Sequence, residues 1–137
     1  MSRASDALPR RVKARLIVQV VATFLWVHLA LRREPFPRAV ERIGAVRPRS
    51  NYYVLPSRLG RVVVQVLWWG PLKPRCLFSA LVLYRLLRAQ GDPAELVIGL
   101  PGSAATKDAH AWVEIGGVDV GPPPGRSGHV ELTRYGT

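Results

Sequence analysis

The run from Cys76 to Arg88 carries Leu77, Ala80, Leu81, Tyr84, Leu87 and Arg88 at helical spacing, and it stops at Gly91-Asp92-Pro93. A glycine after the last periodic residue ends a helix, and a proline just beyond prevents its continuation. Two strand-like stretches follow at once, Ala94–Leu100 and residues 108–115. Gly116-Gly117 between the second stretch and Val118-Asp119-Val120 is a two-residue hairpin signal. A helix followed by adjacent antiparallel strands is an α+β arrangement, in which the helix packs its apolar face on a small sheet. Arg85 and Gln90 are expected to face solvent, and Pro122-Pro123-Pro124-Gly125 is expected to end the sheet.

Residues 1–11 are polar and expected to fray. From Val12 to Leu31 the sequence reads as a helix, with a wide apolar arc of Leu16, Ile17, Val20, Val21, Phe24, Leu25, Val27, His28 and Leu31. Gln19, Thr23 and His28 interrupt its apolar runs, which favours packing on a core over a membrane span. The alternative is an interfacial helix whose flanking Arg10, Arg11, Lys13, Arg15, Arg32 and Arg33 meet anionic lipid or a partner. Glu34-Pro35-Phe36-Pro37 ends this helix and a short one is expected over Pro37–Ile43. Residues 44–57 read as a loop between a basic N-terminal helical arm with its linker (1–50) and a catalytic domain (51–137). Ser57–Trp69 reads as a helix in spite of Val62-Val63-Val64, and Trp68-Trp69-Gly70-Pro71 as core followed by a turn.

A chain of 137 residues supports one domain, and its single cysteine excludes an internal disulfide. Cysteine usage, and an early apolar run without a small-residue cleavage pattern, point to a reducing cytoplasm. The balance of Lys+Arg 20 against Asp+Glu 9, a net +11, attracts something acidic. Nucleic acid is not the expected partner, because no helix-turn-helix spacing, zinc pattern or RNA-binding aromatic motif is present. No metal or cofactor is expected either, since one Cys and the scattered His28, His110 and His129 offer no ligand spacing.

Cys76 stands at the first turn of its helix beside Lys73 and Arg75. The positive end of the helix dipole and two cations favour the thiolate, the nucleophilic form. His110 lies in the strand-like run Ala109-His110-Ala111-Trp112-Val113-Glu114-Ile115, where it could serve as general base from a sheet packed on that helix. The competing reading is a buried, inert thiol.

Three motifs together resemble the transglutaminase-like leader peptidases of lasso-peptide biosynthesis (the McjB C-terminal type): Arg75-Cys76-Leu77 with Leu81–Arg88, then Gly91-Asp92-Pro93-Ala94-Glu95-Leu96-Val97-Ile98-Gly99, then His110-Ala111-Trp112-Val113-Glu114. The resemblance implies a papain/transglutaminase-like fold and a cysteine protease that removes the leader of a ribosomally made precursor. Its implied partners are the precursor leader peptide, a separate leader-recognition protein and an ATP-dependent macrolactam cyclase. Carried onto this chain, Cys76 is the nucleophile and His110 the acid–base, with the backbone N–H of Cys76 as oxyanion donor and Gln65 as a weak side-chain candidate. The third member departs from the pattern, because Pro122 occupies the place of the family's acid and Asp119 is the nearest carboxylate. A two-residue turn puts Asp119 opposite Glu114, about 13 Å along the strand from His110, so that it orients the ring only if the hairpin is bulged or longer than it reads. Ser79 and Ala80 replace residues that are often Arg and Ser in the family. Two other readings stay open: a non-catalytic scaffold of the same fold, and a basic protein that binds membrane surfaces or nucleic acid.

Overall fold

The computed structural model describes residues 10–46, 53–69, 76–101, 110–121 and 129–136. Four helices precede four strands: α1 (Arg10–Arg33), α2 (Phe36–Gly44), α3 (Pro56–Trp69), α4 (Cys76–Ala89), β1 (Ala94–Pro101), β2 (His110–Ile115), β3 (Val118–Gly121) and β4 (His129–Tyr135). The strands form one antiparallel sheet in the order β3-β2-β1-β4. This is the α+β class that the helix-then-strands order implied.

Helix α4 is the centre of the fold, with α1, α2 and α3 packed around it and β1 and β2 beneath it. Ser79, Ala80, Leu81, Val82, Leu83, Tyr84 and Leu87 are all buried, so the helix is enclosed over most of its circumference. Its end follows from Gly91, whose φ of 97° lies in the left-handed region open to glycine. The Gly91 N–H then bonds to the Arg88 carbonyl and the Asp92 N–H to the Leu87 carbonyl, a Schellman ending that satisfies two orphan carbonyls.

Two residues of this helix end correct the expectation of solvent exposure. Arg85 is half-buried, donates to the Ile43 carbonyl at 3.2 Å and lies 4.0 Å from the centre of the Trp26 ring. Burial lowers its pKa from the ordinary guanidinium value, and the ring face and carbonyl replace part of the lost hydration. Gln90 is also half-buried and clamps the chain before α3, accepting from the Val54 N–H at 3.2 Å and donating to the Val54 carbonyl at 2.6 Å. Periodicity alone missed both because their partners come from distant segments.

Helix α1 is longer than expected and buries only one side, through Leu16, Val20, Val27 and Ala30. Ile17 and Leu25, placed in the apolar arc, are 48% and 58% exposed. Trp68, expected in the core, is 46% exposed; its indole N–H donates to the buried Ser79 hydroxyl at 3.2 Å and joins α3 to α4. The Trp69 side chain, Gly70 and Pro71 lie outside the described residues.

The hairpin forms where Gly116-Gly117 placed it, with φ of 58° and 82° at the two turn residues. The sheet does not end there, however. Strand β4 returns to pair with β1, from Leu96↔Tyr135 to Pro101↔His129. His129 to Thr133 alternates polar and apolar in period 2, a strand signal overshadowed by the proline run before it. Leu96, Ala111, Val113 and Val120 join the helices in one core, whereas Val97 and Trp112 are buried on the opposite face, outside that cluster.

Candidate active site

Cys76 is the first residue of α4 and His110 the first of β2, and α4 packs on β2. The fold thus brings together the two elements that carry the nucleophile and base of the sequence reading. The Cys76 side chain, together with Lys73 and Arg75, lies outside the described residues.

His110 is half-buried and sits across from Gly99 on β1. Gly99 places no side chain opposite the imidazole on β1. Alternation sets His110, Trp112 and Glu114 on the sheet face away from Ala111 and Val113. His110 is the first residue of β2.

Asp119 lies opposite Glu114, as a two-residue turn requires. The hairpin is also bulged: Val113 pairs with Gly121, so that Val120 is the extra residue on β3. The bulge therefore falls beyond Asp119, leaving it four residues along β2 from His110, or about 13 Å of strand. Its Oδ1 accepts the Gly121 N–H at 2.7 Å, which turns the carboxylate toward the His110 end of the hairpin. A second bulge interrupts β1 against β4 between Ile98 and Gly99, next to the residue facing His110. This second irregularity adjoins the residue paired with His110, and bulges commonly re-aim side chains beside active sites.

A polar network on the same face was not read from the sequence. The Trp112 indole donates to Glu114 Oε2 at 2.7 Å, and Glu114 Oε1 accepts from Arg134 Nη2 at 2.9 Å. Arg134 also binds Glu131 at 2.6 Å and Glu95 at 3.3 Å, so one guanidinium joins β1, β2 and β4. These hydrogen bonds hold the Glu131 carboxyl below its ordinary range and raise the Arg134 pKa further. The network fixes the rotamer of Trp112, two residues from His110. The Glu–Arg–Glu pairing was invisible in sequence because β4 was not expected as a strand.

The remaining candidates are dispersed. Gln65 is exposed on α3, and Pro122 and the His129 side chain lie outside the described residues. His28 is exposed on α1 with its ring 5.5 Å from that of Phe78. Among the described residues, no three His, Cys, Asp or Glu side chains are gathered as metal ligands would be.

A helix opened by cysteine and packed on an antiparallel sheet whose second strand opens with histidine is the arrangement of thiol enzymes of the papain and transglutaminase type. The family model described as Transglutaminase-like superfamily matches residues 14–133, and the chain belongs to that superfamily. Its members commonly include cysteine peptidases and transglutaminases. Neither a curated protein nor a solved structure matches the chain.

Proposed function

We propose that this protein is a cysteine peptidase that removes the leader from a ribosomally made lasso-peptide precursor. The observation that carries the reading is the packing of α4, opened by Cys76, on β2, opened by His110, in a chain of the transglutaminase-like superfamily. The narrower substrate class is supported by the Cys76, Gly91–Gly99 and His110–Glu114 motifs.

In this mechanism the Cys76 thiolate bonds to the scissile carbonyl carbon, and the backbone N–H at the start of α4 meets the developing oxyanion. The C–N bond then breaks as the His110 imidazolium gives its proton to the leaving amine. Water, deprotonated by His110, hydrolyses the thioester and restores the thiol. Asp119, the nearest carboxylate on the neighbouring strand, is assigned the third position, and at about 13 Å of strand from His110 it acts on the ring through an intervening group or water. Leader recognition and macrolactam closure are assigned to two separate proteins of the pathway, in a reducing cytoplasm.

The test is reconstitution with precursor, the recognition protein and the cyclase, followed by mass spectrometry of released leader. Cys76→Ala and His110→Ala should abolish cleavage, whereas Asp119→Asn should reduce its rate and alter its pH profile. A Cys76→Ala protein that processes precursor as fast as wild type would establish the scaffold reading instead.

A further inference from the structure

Helix α1 has a second face that the fold leaves uncovered. Val18, Ala22, Leu25 and Leu29 recur at alternating steps of four and three residues, which keeps them on one side of a helix. Val18 is 66%, Leu25 58% and Leu29 45% exposed. The same spacing continues to Arg15 and Arg11 at one end and Arg32 at the other, with Arg33 beside it, all exposed. Helix α1 contains no acidic residue. The result is an apolar ridge of about 17 Å, from Val18 to Leu29 at 1.5 Å per residue, capped by cations at both ends.

The charge pattern selects among occupants. A second copy of α1 laid along the ridge sets arginine against arginine whether the two helices run parallel or antiparallel, so self-pairing is opposed at both ends. A transmembrane orientation is opposed by the other face: α1 is long and apolar enough to span, yet Val20 and Val27 are fully buried against the helices beneath it. Extraction into a bilayer would strip that core. An anionic lipid surface satisfies both parts, taking the apolar side chains at the headgroup–acyl boundary and the guanidiniums on its phosphates.

We infer that the exposed face of α1 rests the folded domain on an anionic membrane surface. This inference is independent of the peptidase reading, since it uses no residue assigned to catalysis.

The experiment is sedimentation of the full chain with phosphatidylcholine vesicles and with equimolar phosphatidylcholine–phosphatidylglycerol vesicles, over a range of salt. Binding is expected to the anionic vesicles, to weaken with salt, and to be slight on phosphatidylcholine alone. Leu25→Ser with Leu29→Ser should lower affinity at least about tenfold, because both side chains leave water on binding. The circular dichroism spectrum and Tm should be kept, since neither side chain belongs to the buried core. Arg32→Gln and Arg33→Gln, at two exposed positions, should each cost about fivefold. Failure to bind anionic vesicles would overturn the inference, and so would serine variants that bind as wild type, which would reduce the effect to bulk charge. Light scattering that shows a dimer abolished by the serine pair would assign the ridge to a second copy instead.

Discussion

Replacing Gly60 with alanine sets two opposing effects against each other, and the packing of α3 decides between them. Gly60 lies inside α3, where alanine is intrinsically better than glycine by about 1 kcal/mol. At this position, however, an added Cβ would overlap the backbone carbonyl oxygen of Val120, with a Leu83 methyl next nearest at 3.5 Å. Carbon–oxygen contacts settle at about 3.3 Å or more, so α3 and β3 would have to part by roughly 1 Å. The obstacle is strand backbone, which has no rotamer to change, and overpacking of this kind costs about 1–3 kcal/mol. The upper half of that range exceeds the propensity gain, leaving a net loss of about 1–2 kcal/mol. Urea denaturation followed by circular dichroism measures it. Because Val120 is the bulged residue directly after Asp119, leader cleavage under folding conditions should also slow. A Gly60→Ala protein as stable as wild type, or more so, would refute the account of how α3 seats on β3.

Arg88 donates to the carbonyls of Gly44 at 2.8 Å, Ala94 at 3.1 Å and Gly136 at 3.3 Å, joining α2, β1 and the end of β4 to α4. Arg88→Met keeps the stem but leaves these acceptors without the charge, and should lower stability by about 2–4 kcal/mol in thermal denaturation; Arg88→Lys should recover only part of it, because an ammonium lacks the planar fork. Either variant within about 0.5 kcal/mol of wild type would contradict this role. Burial raises the Tyr84 pKa above 10.0, so its neutral form is favoured in the folded state and the associated stability is complete below pH 10.0 and lost as pH rises through the raised value. Tyr84→Phe should flatten the alkaline limb of the stability–pH curve, and an unchanged limb would remove Tyr84 as its source.

Much of the local structure was legible because its signals lie within a few residues of one another. The Gly91 stop, the Gly116-Gly117 turn and the Asp119↔Glu114 register each depend on one backbone preference or one count along a hairpin. The sequence by itself determined the helices, the first three strands, and the candidate Cys76 and His110 at the openings of α4 and β2. Tertiary structure decided what requires a partner distant in the chain. It added β4 to the free edge of β1, drew Arg85 and Gln90 inward to carbonyl and amide partners, and gathered Glu95, Glu114 and Glu131 around Arg134. It also left Ile17, Leu25 and His28 of α1's apolar arc uncovered, because periodicity identifies an apolar face without counting how many neighbours will pack against it. Dihedral preferences act residue by residue and can be read in order, whereas burial and pairing belong to surfaces that exist only once the chain has folded.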